Sequence, residues 1–214
     1  VLFPDKKDLN YRQPYLIEND ISQAQIDNAI QFFLENEIVL DPTIGLDVVR
    51  SLPRGVPIET VEPDAGRIAY ELFEGKRFRN GVSEERAAQG VEDYTIAMDV
   101  IGQFHRAGIP IVAGTDNVVP VFSLYLEIET YHKLGKLTPF EALQTATIIP
   151  ARAMGMDKET GTIEIGKEAD IAILDKNPLE NISNIRSVSA VISNGNYYES
   201  SPLWIAADFK PDRE

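Results

Sequence analysis

Ile109-Pro110-Ile111-Val112-Ala113-Gly114-Thr115-Asp116 is the stretch on which the reading of this chain turns. Its apolar, β-branched first half reads as a buried strand, and Pro110 is tolerated because the first residues of a strand need not donate to the ladder. A helix precedes it: from a start near Ser83, the residues Tyr94, Ala97, Met98, Ile101 and Phe104 fall on one face, and Gly108 supplies the stop. A second helix follows, on Val121, Leu124, Tyr125, Ile128 and Tyr131, closed by Leu134-Gly135. Helix, strand and helix in succession argue for parallel α/β layers, in which loops at the C-terminal ends of strands carry the chemistry. Asp116 stands at such an end. A carboxylate there can ligate a divalent cation and take a proton from the water that the cation acidifies. The competing reading is a turn or helix-capping aspartate after Gly-Thr.

The same alternation occurs upstream. Ser22 and Gln25 make a capping box, Ile21 and Ile26 the matching hydrophobic staple, and Ile26, Ala29, Ile30 and Phe33 continue at helical spacing. The run Glu37-Ile38-Val39-Leu40-Asp41-Pro42 then reads as a buried strand stopped by Asp-Pro. Thr43 falls at the corresponding rim, where its hydroxyl could touch a substrate, although a simple turn accounts for it as well. Asp41 reads as a strand-ending residue bonded to local amides. Residues 43–63 hold several Pro and Gly and little periodicity, which predicts a long excursion. Ile68, Ala69, Leu72 and Phe73 then suggest a short helix closed by Gly75.

Downstream, Thr138-Pro139-Phe140-Glu141 starts a helix, with Thr as cap, Pro at the first helical position and Glu three residues on. From Gly161 the texture becomes β. Thr162-Ile163-Glu164-Ile165, Asp170-Ile171-Ala172-Ile173-Leu174 and residues 188–193 each read as strands between turn residues. Asn194-Gly195 between the last of these and Asn196-Tyr197-Tyr198 predicts a two-residue hairpin, because both central positions of such a turn need positive φ.

Composition limits the chemistry. A formal net charge of −14 opposes binding to a phosphate backbone, so nucleic acid is an improbable partner. No apolar run approaches the roughly 18 to 20 residues of a membrane span, and the first residues lack a signal pattern. The absence of Cys excludes thiolate nucleophiles and Cys-ligated metals, and with two histidines, His105 and His132, any metal must rely on carboxylates or modified Lys. Both histidines fall near helix ends, where a cation suits the helix dipole. Glu129 and His132 form at most a weak ligand pair, and Glu127, Glu129, Glu84 and Glu85 read as solvated helix faces or as charges complementing a helix N-terminus. Residues 161–167 lack the spacing of a phosphate loop, and no Gly-x-Ser-x-Gly elbow is present.

Five ordered stretches in residues 107–195 together resemble the amidohydrolase superfamily, in particular its imidazolonepropionase-like and Xaa-Pro dipeptidase (prolidase-like) branch. Residues 107–116 resemble that family's eighth barrel strand, and Leu137-Thr138-Pro139-Phe140-Glu141-Ala142-Leu143-Gln144-Thr145-Ala146-Thr147 with Pro150-Ala151 the helix after it. Gly161-Thr162-Ile163 through Gly166-Lys167-Glu168-Ala169-Asp170-Ile171 resembles the re-entry into its β-sandwich, and Asn177-Pro178-Leu179 and Val191-Ile192-Ser193-Asn194-Gly195 continue the pattern. Ile38-Val39-Leu40-Asp41-Pro42-Thr43 is similar to the seventh strand.

The resemblance implies an α/β fold: the C-terminal fragment of a metal-dependent hydrolase TIM barrel, about its last two β/α units, plus part of a small β-sandwich. The divisions expected are a partial barrel over 1–160, sandwich strands over 161–200 and a tail over 201–214. It implies hydrolysis of amide, dipeptide or cyclic amide C–N bonds by metal-activated water, with zinc the expected metal. Asp116 would be metal ligand and proton shuttle, and Thr43 and Thr115 would contact the substrate. The family also needs a His-x-His on its first strand, a carboxylated Lys or Glu on its fourth and histidines on its fifth and sixth. None can be placed in this sequence, so such positions would lie upstream of Val1 and the chain would be inactive alone. Barrel strands without their neighbours would expose apolar faces, which predicts self-association. The alternative is a non-catalytic binding or assembly module built on the same fold. Localisation is left open by the sequence.

Overall fold

The N-terminal helix forms where the cap signal places it. In the computed structural model, which describes residues 21–69, 72, 81–116 and 119–210, α1 spans Gln23–Glu35 and both halves of the Ser22–Gln25 capping box are made. Residues 1–20, Phe73, Gly75 and Asn117 lie outside the described residues, so the helix stop expected at Gly75 does too. Helix α1 buries Ile26 and Ala29 against Phe104 and Ile109, and the rings of Phe33 and Phe104 meet edge to face at 5.1 Å. The long excursion expected from residue 43 is partly ordered. It carries α2 (Gly45–Arg50) and two 3-10 helices, Ile58–Thr60 and Pro63–Arg67. Such short helices show no periodicity of their own, and what holds them is packing: Val49, Ala65 and Ile68 bury with Phe122 and Leu126.

Helix α3 (Glu84–Arg106) is capped by Ser83, whose side chain accepts from the Arg86 amide, and has Glu84 and Glu85 in its first turn, His105 and Arg106 in its last. That charge order suits the helix dipole at both ends. Gly108 follows at φ 92° and ends it. Helix α4 (Ser123–Lys133) starts two residues after Val121, which is left exposed in the left-handed region at φ 71° rather than on the helix face. Helices α5 (Pro139–Gln144) and α6 (Ile148–Ala153) follow, the first with the complete Thr138–Glu141 capping box. Met98 and Ile101 of α3, Ile111, Ile128 and Tyr131 of α4, and Leu137 share the main core.

Between these helices the two segments expected as strands run side by side but make a single parallel bridge, Leu40 to Ile111, with the Leu40 amide donating to the Pro110 carbonyl and the Val112 amide to the Leu40 carbonyl. The ladder stops there because its next rung needs the amide of residue 42, and Pro42 has none; on the opposite edge the Ala113 amide donates to the carbonyl of Thr145 at the end of α5.

The C-terminal part is a three-stranded antiparallel sheet of β1 (Ile171–Leu174), β2 (Val188–Ser193) and β3 (Asn196–Glu199), in that order. Asn194 and Gly195 take φ 47° and 76° at the hairpin expected from the sequence. The expected strand over 162–165 does not form. It is bounded by Gly161 and Gly166 at φ 90° and 94°, it lies beside no other strand among the described residues, and Ile163 is 81% exposed. An extended run without a ladder partner gains nothing for its unpaired amides.

The 3-10 helix Ile182–Arg186 leads into β2 and sends Ile182 and Ile185 into the main core. After β3, helix α7 (Ser200–Ala206) lays Trp204 on Phe122 at 5.5 Å in a near-parallel stack, with the Arg67 guanidinium 5.1 Å above the indole and Phe209 closing the group.

Candidate active-site rim

Asp116 and Thr43 lie just past the C-terminal ends of the two bridged segments, so the parallel pairing of Leu40 with Ile111 brings both to one rim. Asp116 is exposed, with φ 45°. Thr43 has φ 50°, a left-handed conformation that costs a β-branched residue of the order of 1–2 kcal/mol and persists only where neighbours hold it. Thr115 is half-buried between Gly114 and Asp116.

The two ends also touch. A Cβ added to Gly114 would fall 1.9 Å from Oδ1 of Asp41, so the carboxylate of one segment occupies the space over the backbone of the other, and only glycine leaves room for it. The same Oδ1 accepts a hydrogen bond from Oγ1 of Thr43 at 3.1 Å. Asp41 therefore spans the rim instead of bonding only local amides, as the sequence suggested.

Directly behind the rim is a residue that the sequence reads as solvated or as a complement to a helix N-terminus. Glu127 of α4 is fully buried; its Oε1 accepts from the amide of Ile44 at 2.9 Å and its Oε2 from that of Gly45 at 2.6 Å. Helix α2 has no side-chain cap of its own, so a carboxylate 82 residues away satisfies its first donors. Burial pushes the Glu127 carboxyl up to about 7; its bonds to Tyr131, Gly45 and Ile44 oppose that rise, and the charge of Asp41 adds to it. One turn further along α4, the buried Tyr131 donates from its hydroxyl to the Val112 carbonyl at 3.0 Å, on the other segment. Its own ionisation is pushed far up by burial and by Glu127.

Glu129, likewise buried, lies on the far side of α4. It accepts from Nε of Arg186 at 2.7 Å and pairs with Lys133 at 2.9 Å, and Arg186 also reaches Glu62 and Asp64. Burial raises the Glu129 carboxyl, but Arg186 and Lys133 outweigh it and hold it below the usual range. Arg186 is held protonated by Glu62 and Glu129 despite its burial. The signal that could have found these groups is the helix itself. In Ser123-Leu124-Tyr125-Leu126-Glu127-Ile128-Glu129-Thr130-Tyr131 the apolar residues leave no face free for solvent, so carboxylates between them are buried.

Neither histidine approaches the rim residues. Nε2 of His105 faces Glu141 at 3.3 Å, and Nδ1 of His132 lies 2.7 Å from the Leu137 carbonyl. Glu129 is engaged by Arg186 and Lys133, and the His132 ring by the Leu137 carbonyl. Among the described residues no three His, Asp or Glu side chains come together in a way that could hold a metal ion.

The chain is 32% identical over 101 residues to an imidazolonepropionase of Thermoplasma volcanium, covering 43% of this chain and 24% of that protein. It is 40% identical over 75 residues to the enzyme of the same name from Brucella anthropi, covering 34% and 18%. It thus spans a quarter or less of the length of these curated relatives. Among solved structures, it superposes on a Xaa-Pro dipeptidase with bound methionine in its active site, with a TM-score of 0.55 and 25% identity over 80% of this chain and 37% of that one. It shares the fold of A. niger ochratoxinase, with a TM-score of 0.56 and 22% identity over 81% and 35%. The model of the amidohydrolase family matches residues 79–197, more than half of the chain and including Asp116, and on that match the chain belongs to the amidohydrolase family.

Proposed function

We propose that the chain is the C-terminal part of a hydrolase of C–N bonds in small-molecule amides, dipeptides or cyclic amides, with Asp116 as the carboxylate that receives a proton from the attacking water and returns it to the leaving nitrogen. The observation that carries this reading is the placement of Asp116 and Thr43 at adjacent C-terminal ends of parallel segments, the rim on which α/β folds do chemistry. The names of the relatives, imidazolonepropionase and Xaa-Pro dipeptidase, support a small substrate of this kind. Thr43 and Thr115 are the substrate contacts in this reading. In this reading the barrel part runs to residue 160, the sheet of residues 171–199 belongs to a small sandwich over 161–200, and the segment from residue 201, expected as a tail, packs back through Trp204 of α7 and Phe209 after it. The self-association expected of barrel segments without their neighbours belongs to the same reading.

A divalent cation, zinc in first place, is the group such a hydrolase would use to acidify water. The described residues do not fit it as a complete centre, since Asp116 offers one carboxylate where a catalytic ion takes three or more protein ligands. The test is zinc content after dialysis, with hydrolysis of Xaa-Pro dipeptides and cyclic amides measured on the same preparations of the chain and of Asp116→Asn. Background zinc in both is expected. Stoichiometric zinc or hydrolysis that survives Asp116→Asn would refute the role of Asp116; zinc bound by the chain and lost in the variant would support Asp116 and refute the incomplete centre.

A further inference from the structure

The rim is built from two segments that share one bridge, two backbone hydrogen bonds and the Asp41–Gly114 contact. So short a ladder is a weak device for holding Thr43 and Asp116 at a fixed separation. Helix α4 passes behind both segments and grips each. Glu127 takes the amides of Ile44 and Gly45, the two residues directly after Thr43, and Tyr131 holds the carbonyl of Val112, four residues before Asp116. Residues four apart lie one above the other on a helix, so both grips come from one rigid face. Both side chains are fully buried, and their exit to water is blocked.

We infer that Glu127 and Tyr131 are positioning residues that together set the separation of the Thr43 and Asp116 ends of the rim. Glu127 also offsets the left-handed strain at Thr43, because its two bonds fix the backbone immediately after it. A glutamine in place of Glu127 would leave one of the two amides facing an amide nitrogen with no lone pair. A phenylalanine in place of Tyr131 keeps the ring packing and removes the hydroxyl, with its bond to the Val112 carbonyl and its contact with Glu127. This inference deepens the hydrolase reading and depends on it for its catalytic meaning.

The test is amide chemical shifts and hydrogen exchange of the whole chain, compared with Glu127→Gln and Tyr131→Phe. Exchange at Gly45 should accelerate about tenfold or more in Glu127→Gln. The decisive result is the response across the rim. Glu127→Gln should move the amide signals of Thr115 and Asp116, and Tyr131→Phe those of Thr43, Ile44 and Gly45. Simple loss of stability does not move signals on the opposite segment. If each variant disturbs only the segment it contacts, the positioning role is overturned; if Glu127→Gln does not fold, Tyr131→Phe decides alone. Failure of the hydrolase reading shows separately, as zinc or hydrolysis that survives Asp116→Asn, and leaves the cross-rim result unaffected.

Discussion

Replacing Glu127 by Gln should change how the stability of this protein depends on pH. Burial raises the carboxyl from its ordinary 4.5 to about 7. The folded chain therefore keeps this proton to higher pH than the unfolded chain does. Its contribution is fully present below about 4.5, declines through the window between the two values, and is gone above about 7, a total near 3 kcal/mol. Glutamine does not titrate, so that decline is absent from the variant. The substitution has its own cost, because the amide nitrogen cannot accept from one of the two buried backbone donors, about 1–3 kcal/mol. The variant should therefore be less stable by about 1–3 kcal/mol at pH 5, and the gap should close or reverse by pH 8. In a chain of this size that is roughly 2–12 °C in unfolding temperature at the lower pH. Other shifted carboxyls, such as Asp47, raised chiefly by burial, are common to both proteins and cancel in the difference. Urea titrations at half-unit pH steps supply the measurement. A difference between the two proteins that stays constant from pH 4.5 to 8 would refute the reasoning.

Gly114→Ala puts a methyl carbon 1.9 Å from Asp41 Oδ1 and should destabilise by about 1–3 kcal/mol. Adding Asp41→Ala should recover most of the loss, and strict additivity in urea unfolding would count against the contact. Arg186→Ala leaves Glu62 buried without its cation and Glu129 with Lys133 alone and should cost about 3–5 kcal/mol, whereas Arg186→Met combined with Glu62→Gln and Glu129→Gln should regain much of it. Thermal unfolding measures both, and a loss under about 1 kcal/mol for the single variant would contradict the network. Thr138→Ala removes the cap of α5 and should cost about 1 kcal/mol, read by chemical denaturation; an unchanged midpoint would mean the cap is redundant.

Local rules located most of the helices. Ser22, Ser83 and Thr138 each cap the helix expected from them, because capping depends on residues three apart and on little else. The Asn194-Gly195 turn was readable for the same reason. What escaped depends on distant partners. Residues 162–165 have the composition of a strand, but a strand exists only beside another, and no neighbour meets them among the described residues. The rim position of Asp116 and Thr43 could be read from apolar runs ending in turn residues. The contact of Asp41 with Gly114 could not, since it joins residues whose proximity only the fold creates. Charge alone reads Glu127 and Glu129 as solvated or as complements to a helix N-terminus, whereas the aromatic and aliphatic residues around them cover the stretch 123–131 of α4.

Trp204 is the single tryptophan of the chain. Its indole stacks on the Phe122 ring just before α4, the Arg67 guanidinium stands 5.1 Å from the indole and 5.2 Å from Phe122, and Trp204 comes from the last helix of the described chain. Any loosening of that helix separates the indole from a nearby cation and ring and admits water. The chain thus carries a built-in optical reporter. Its emission follows the docking of the C-terminal helix independently of the far-ultraviolet signal of the remaining helices, with no label needed.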